Sequence, residues 1–193
     1  MRFVYDDGGR SAYFKATRVG DCGTRAICNA TGKDYKEVYD ALKALNNGTS
    51  CRNGTPRKVF NKYMASIGWE WHPTMFIGQG CKVHLWDGEL PEGTLILSLA
   101  RHYTCVKDGV VYDTWNPSAP TKCVYGYWTP PRDPKYRVGD IVQYKGYEGM
   151  VHECLITQVW KDDHDRDGVS IVPTGDYGFE IDLYLEQFEK HLA

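Results

Sequence analysis

The sequence predicts an α+β protein in which a larger N-terminal domain, residues 1–130, is followed by a small β-rich module, residues 135–193. Apolar residues recur at helical spacing over residues 22–67, and from about residue 92 the period becomes that of strands. The stretch Thr-Pro-Pro-Arg-Asp-Pro at 129–134 separates the two parts, because the residue before each proline is disfavoured in a helix.

Three helices are predicted in the first half of the chain. The first covers residues 22–29. The second begins after Asp34, a capping residue followed three positions later by glutamate. The third opens at Thr55-Pro56, with proline at the first helical position, and closes at Gly68.

Strands dominate the part of the first domain that follows. Thr94–Leu99 is a β-rich run that fits the middle of a sheet. Strands at 103–107 and 110–115 flank Asp108-Gly109, a pair typical of a two-residue hairpin turn. Residues 123–128 are expected to form a further strand.

The C-terminal module is predicted to be a small SH3-like β-barrel that ends in a helix over residues 183–192. Short runs of alternating apolar and polar residues follow the proline stretch, as in the strands of small barrels. The tetrapeptide Gly-Asp-Ile-Val at 139–142 resembles the turn and first long strand of SH3-like barrels. We expect this module to bind a substrate or a partner protein.

Composition limits the possible partners and locations. The formal net charge is −2 and basic residues form no stripe, so neither nucleic acid nor an acidic membrane is an expected partner. No secretory signal and no apolar run long enough to cross a bilayer is found. The seven cysteines are irregularly spaced, which does not suggest a disulfide framework. A cytoplasmic protein is therefore expected.

Cys22 is the candidate nucleophile, because it lies where the first helix is predicted to begin. A helix N-terminus favours a thiolate through its dipole and its free N–H groups. Such a thiolate also needs a histidine within reach and an acceptor that fixes the tautomer of the imidazole.

The predicted hairpin supplies both partners. With the turn at 108–109, Lys107 pairs with Val110 and Thr104 falls opposite Asp113. His102 then shares a face with Asp113, a diagonal neighbour within side-chain reach. Asn116, the alternative orienting residue, would fall opposite Arg101 and point to the other face. The predicted triad is therefore Cys22, His102 and Asp113.

Two motifs carry a resemblance to a known family. The octapeptide GDCGTRAI at 20–27, followed downstream by RHYTCVKDGVVYDTW at 101–115, resembles papain-like cysteine peptidases of the bacteriophage and bacterial kind. The segment Gly-Asp-Cys-x-x-Arg-Ala is also similar to the nucleophile motif of ovarian-tumour deubiquitinases. The resemblance implies a papain-like fold, a protein or peptide substrate, and a thioester intermediate formed without metal or organic cofactor. For a phage protein, the location would be the host cytoplasm.

The sequence departs from both families at the expected oxyanion-hole positions. Ala16 stands where papain-like enzymes commonly have glutamine, and Val19 where the ovarian-tumour family usually has aspartate. The backbone N–H of Cys22 is therefore the expected oxyanion donor, with help from Thr17, Arg18 or Asp21.

Other functions remain open at this point. Gly-Asp-Ile-Val followed by His152 also resembles cell-wall amidopeptidases of the phage lysin type. In that case His152, and not His102, would be the base that pairs with Cys22. An acyltransferase with the same triad and a catalytically silent binding protein are two further alternatives. The segment DDHDRDG at 162–168 resembles a calcium loop, but Thr174 stands where its closing acid belongs, so we expect a polar hairpin tip and no metal.

Overall fold

Helices and strands are both present, and they belong to two separate units of the chain. The computed structural model describes residues 1–15, 20–131, 136–146, 149–164, 166–175 and 179–192. The units are Met1–Pro131 and Arg132–Ala193. The division lies in the proline-rich stretch, and the predicted α+β class is confirmed.

The described residues of the first unit form three α-helices and six strands. A short 3-10 helix, Arg10–Ala12, precedes them. The helices are α1 (Cys22–Thr31), α2 (Tyr35–Leu45) and α3 (Arg57–Ser66). The strands are β1 (Arg2–Tyr5), β2 (Glu70–Pro73), β3 (Thr94–Leu99), β4 (His102–Lys107), β5 (Val110–Asp113) and β6 (Gly126–Thr129).

Local sequence signals explain where the helices begin and end. The Asp34 carboxylate accepts hydrogen bonds from the backbone N–H groups of Lys36 and Glu37 at the start of α2. Helix α1 ends at Gly32, whose φ of 70° suits a residue without a Cβ. Pro56 occupies the N-cap position of helix α3, so the helix starts at Arg57, one residue later than the predicted start at Pro56.

The six strands form one sheet in the order β1-β5-β4-β3-β6-β2. All neighbouring strands are antiparallel except β1 and β5, which run parallel. Strand β3 lies between β4 and β6, as expected for a strand in the middle of a sheet. Strands β1 and β2 were not predicted, because each pairs only with a strand distant in sequence.

The hairpin that carries the predicted histidine and aspartate has the predicted turn. Asp108 and Gly109 have φ values of 46° and 74°, and Lys107 pairs with Val110. Pairing is recorded as far as Cys105 and Tyr112. The predicted register is therefore confirmed up to that pair, one position before Thr104 and Asp113.

Apolar residues pack on both faces of the central strand. Ile96 belongs to a cluster that includes residues of α1, α2 and α3. Leu95, Leu97 and Leu99 belong to a second cluster with residues of β4 and β5. Both faces of β3 are buried, which explains why its sequence is almost continuously apolar. The buried strand supports the neighbouring strand β4, which carries His102.

In the second unit, the part of the chain that the structure describes forms an antiparallel sheet of four strands and a short helix. The strand order is β10-β9-β8-β7, and the elements are β7 (Ile141–Lys145), β8 (Val151–Lys161), β9 (Asp167–Pro173), β10 (Ile181–Tyr184) and α4 (Leu185–Lys190). The sheet formed by the described residues is open, not a closed barrel, so the likeness to an SH3-like barrel stays a prediction. Residues 183 and 184 are strand rather than helix, which corrects the predicted start of the last helix.

The tip between β8 and β9 is a polar turn, as the sequence suggested. Asp162 accepts hydrogen bonds from the backbone N–H groups of His164 and Arg166, and its carboxylate also pairs with the Arg166 guanidinium. Among the described residues, no group of three or more potential ligands is arranged to hold a metal ion.

Cys81 and Cys123 form a disulfide that the spacing of the cysteines did not predict. It closes a loop across 42 residues and ties the segment after β2 to the segment before β6. The spacing of the cysteines could not predict this disulfide, because an isolated bridge between His84 and Cys123, which are distant in sequence, brings the two cysteines together.

The cytoplasmic location stays a prediction. None of the helices in the described parts of the chain has the length and apolar character that a membrane span requires.

Candidate active site

Cys22 is the first residue of helix α1 and is partly exposed. Ala26 and Ile27 on the same helix are buried in the core, which fixes the helix and therefore its first turn. The N–H groups of the first turn have no partner within the helix, so the end of α1 at Cys22 carries a partial positive charge. The sequence predicted this position.

His102 is the first residue of β4 and pairs with Leu99 across the tight turn between β3 and β4. Only 11% of its side chain is exposed. Its Nε2 lies 2.7 Å from Oδ2 of Asp113, a hydrogen bond in which the imidazole N–H donates to the carboxylate. The structure thus brings the predicted histidine and aspartate together.

Cys22, His102 and Tyr103 line the same cavity, and the histidine ring and the backbone N–H of Tyr103 both act to lower the pKa of the Cys22 thiol. Because Nε2 is engaged by Asp113, Nδ1 is the ring nitrogen available to the sulfur. Burial alone would raise the pKa of Cys22, but the hydrogen bond and the charge of His102 outweigh it and hold that pKa below the ordinary thiol value.

The pKa of His102 changes in the opposite direction. Burial would lower it, but the hydrogen bonds to Asp113 and Cys22 and the charges of both raise the pKa to about 9. A lowered thiol pKa beside a raised imidazole pKa favours a thiolate–imidazolium pair at neutral pH. Such a pair is a nucleophile with a proton donor beside it.

Asp113 is held by more than the histidine. It is 3% exposed, and its Oδ1 accepts hydrogen bonds from the backbone N–H of Thr114, at 2.7 Å, and from Nη1 of Arg25, at 3.3 Å. Nη1 of Arg25 also donates a short hydrogen bond to Oγ1 of Thr114. Burial would raise the pKa of Asp113, but its hydrogen bond to His102 and the charge of that ring outweigh it and lower the pKa. The carboxylate therefore stays ionised and fixed in direction.

A second buried carboxylate, Asp21, lies directly before Cys22. It is fully buried and is contacted by Nε of Arg25 at 3.0 Å, Nε of Arg10 at 2.7 Å and the hydroxyl of Tyr35 at 2.5 Å. Two guanidinium groups and two carboxylates thus form a buried network with balanced charge. This network joins helix α1 to strand β5, which carries Asp113.

Trp115 lies over the histidine. Its ring centroid is 5.2 Å from that of His102, and 48% of the residue remains exposed. An indole in this position covers one side of the imidazole and reduces the access of water to its hydrogen bond with Asp113. Trp115 follows Asp113 by two residues, so the alternation of a strand could have suggested that both side chains lie on the same side.

A cavity of about 630 Å³ opens around the cysteine and the histidine. Five described segments of the chain contribute to its lining: the start of α1, the loop before α3, the β3–β4 turn with its flanking residues, the residues after β5 and the segment before β6. Apart from Cys22 and His102, its lining includes Asn53, Gly54, Thr55, Arg57, Arg101 and Tyr125. The volume is sufficient for several residues of an extended peptide.

The other residues predicted for the site have different surroundings. Asn116 is exposed, and its side-chain oxygen accepts hydrogen bonds from the backbone N–H and the hydroxyl of Ser118. His152 lies in the second unit, on β8, where it pairs with Tyr144. The Asp21 carboxylate is an acceptor in the buried network and cannot donate to an oxyanion, although its backbone N–H stays a candidate. Thr17 and Arg18 lie outside the described residues.

Sequence reasoning missed the roles of Arg25 and Arg10. Arg25 follows Asp21 by four residues on the helix, a spacing typical of an ion pair, so that contact could have been predicted. Its contact with Asp113, 88 positions away, had no local signal.

Comparisons with protein-family models, with curated proteins and with solved structures found no match for this chain.

Proposed function

We propose that this protein is a papain-like cysteine peptidase or isopeptidase that hydrolyses an amide bond through Cys22, His102 and Asp113. The observation that carries the proposal is that Cys22, at the start of helix α1, shares one cavity with His102, whose ring is hydrogen-bonded to the Asp113 carboxylate. A buried histidine that touches both a thiol at a helix N-terminus and a carboxylate is the arrangement that nucleophilic cysteine catalysis requires.

The reaction follows from the atoms present. The Cys22 thiolate attacks the carbonyl carbon of the substrate amide, and the backbone N–H of Cys22 is the proposed donor to the developing oxyanion. The imidazolium of His102 transfers its proton to the leaving amine as the C–N bond breaks, which leaves a thioester. Water then attacks the thioester with His102 as base, and the carboxylic acid leaves as Cys22 becomes a thiolate again.

Asp113 contributes orientation and charge. Its carboxylate holds Nε2–H, so that Nδ1 faces the sulfur, and it stabilises the imidazolium in the resting pair. Arg25 and Thr114 hold the carboxylate in turn, so it cannot rotate away from the histidine.

An electrophilic peptide probe tests the proposal directly. A peptide vinyl sulfone should form one covalent adduct with the native protein, located at Cys22 by mass spectrometry, and His102→Ala should abolish it. His152→Ala is the matched control and should react at the native rate. Loss of the adduct in His152→Ala but not in His102→Ala would contradict this triad and favour the cell-wall amidopeptidase.

Turnover needs a separate measurement. A proteome-derived peptide library, incubated with the native protein and with Cys22→Ser, should show new peptide termini only with the native protein. New amide products formed with added amines, in place of free acids, would identify an acyltransferase. The absence of both adduct and products would favour the silent binding protein.

A further inference from the structure

The charges around the cavity are of one sign. Among the described residues that line it, three are arginines, namely Arg25, Arg57 and Arg101, and none is an aspartate or a glutamate. The whole chain has a formal net charge of −2, so this positive character is local.

One of these arginines is already neutralised within the protein. Arg25 is buried and bonds to both Asp21 and Asp113. Arg57 and Arg101 are exposed, and within the described residues no carboxylate pairs with either of them. Two arginines whose charges no carboxylate of the described residues compensates therefore line the cavity around Cys22.

The backbone of Arg101 has a conformation that is uncommon for arginine. It is the second residue of the two-residue turn between β3 and β4, directly before His102, and its φ is 56°. Glycine or asparagine adopts this left-handed conformation at lower cost. A disfavoured residue in a tight turn beside a candidate nucleophile indicates that its side chain has a function.

Arg57 lines the cavity from the start of helix α3. It is the first residue of α3, and its guanidinium lies 6.0 Å from the centre of the Trp71 ring. One turn later, Phe60 stacks on Tyr103 with ring centroids 4.0 Å apart, which fixes this end of α3 against the histidine strand. The partial positive charge of the helix N-terminus adds to that of the guanidinium.

We propose that the cavity selects substrates with a carboxylate close to the scissile amide, and that Arg101 and Arg57 bind this carboxylate. The proposal rests on the proposed function of the same cavity. The planar guanidinium fork matches a carboxylate, and an amide substrate can supply one as an aspartyl or glutamyl side chain or as a C-terminal carboxylate. Both sources share one chemistry, so the experiment separates them.

Matched electrophilic probes measure the preference. One pair consists of tripeptide vinyl sulfones that differ only in Glu or Gln next to the reactive group. The other pair consists of epoxysuccinyl peptides with a free carboxylate or its carboxamide. The readout is the ratio of the second-order rate constants for Cys22 labelling within each pair, because a general change in thiol reactivity cancels in that ratio.

We expect the charged member of at least one pair to react about fivefold faster or more at low ionic strength, and the ratio to fall with added salt. The vinyl sulfone pair would identify a side-chain carboxylate, and the epoxysuccinyl pair a terminal carboxylate. Arg101→Asn should bring the ratio towards one while suiting the turn at least as well as arginine. Arg101→Lys retains the charge in the same strained position and should keep most of the ratio. Arg57→Gln should lower it in part.

Lys62→Gln removes an exposed positive charge from α3 outside the cavity lining and should leave the ratio unchanged. Equal rates within both pairs, or a ratio that survives Arg101→Asn and Arg57→Gln together, would overturn the inference while leaving the peptidase proposal intact. Failure of Cys22 to react with any of the four probes would instead contradict the proposed function.

Discussion

Arg25 and Asp113 form a buried ion pair, with Nη1 of the arginine 3.3 Å from Oδ1 of the aspartate. The arginine belongs to helix α1, whose first residue is Cys22, and the aspartate ends strand β5. The pair therefore links the helix that begins at Cys22, the proposed nucleophile, to the carboxylate that is hydrogen-bonded to His102.

Removal of Arg25 should destabilise the protein strongly. Arg25→Met keeps the length and apolar stem of the side chain but leaves Asp113 with His102 as its cationic partner and Asp21 with only one of its two arginines. Breaking a buried ion pair from one side costs about 3–5 kcal/mol, and we expect a loss of that order in the free energy of unfolding. Urea unfolding followed by circular dichroism measures it.

The exposed pair of Lys36 and Asp40 on helix α2 provides the control. Lys36→Met should change the free energy of unfolding by about 1 kcal/mol or less, because exposed ion pairs contribute little. Similar losses for the two variants would mean that Arg25 is not part of a buried network.

The titration of His102 should reflect its two partners. With a pKa raised to about 9, the imidazolium persists through neutral pH and is lost as the pH rises through that value. Asp113→Asn and Cys22→Ala each remove a contact that favours the charged ring, so both should lower the pKa. The imidazole chemical shifts in NMR spectra recorded against pH measure it, and a native midpoint near the ordinary value of about 6.5 would contradict the proposed ion pair.

The orienting residue can be identified by a pair of substitutions. Asp113→Ala should slow Cys22 labelling by a peptide vinyl sulfone by about a hundredfold or more, since acid–base assistance is worth about 10²–10⁴-fold. Asn116→Ala should have an effect of less than about twofold, because its side chain bonds only within its own turn. Asp113→Asn keeps the size of the side chain but also breaks the buried pair with Arg25, so its melting temperature should fall. Labelling well below that melting temperature, with circular dichroism showing a folded protein, separates the catalytic effect from unfolding.

An equal and large loss in Asn116→Ala would contradict the role given to Asp113.

Local sequence signals predicted the elements that carry the candidate triad. The turn residues Asp108 and Gly109 set the hairpin register, and Gly20 and Asp21 preceded a helix that does begin at Cys22. These features depend on neighbours within a few residues, so their physical causes are present in the local sequence. The direct contact of His102 and Asp113 followed from that register.

Interactions between distant segments could not be predicted in the same way. The parallel pairing of β1 with β5 joins residues about 108 positions apart and has no local pattern. The Cys81–Cys123 disulfide and the contact of Arg25 with Asp113 likewise depend on the assembled sheet. The positive charge of the cavity lining was also not predicted, because Arg57 and Arg101 line one cavity only once α3 and the β3–β4 turn are folded.

The reactivity of the free cysteines tests the central claim most directly. Cys22 is the partly exposed one, whereas Cys28, Cys51, Cys105 and Cys154 are buried, and burial raises the pKa of Cys28 and Cys105 to about 12. Iodoacetamide at neutral pH, with peptide mapping by mass spectrometry, should therefore label Cys22 first, and His102→Ala should slow that labelling because the thiol pKa then rises. Preferential labelling of another cysteine, or an unchanged Cys22 rate in His102→Ala, would contradict the account.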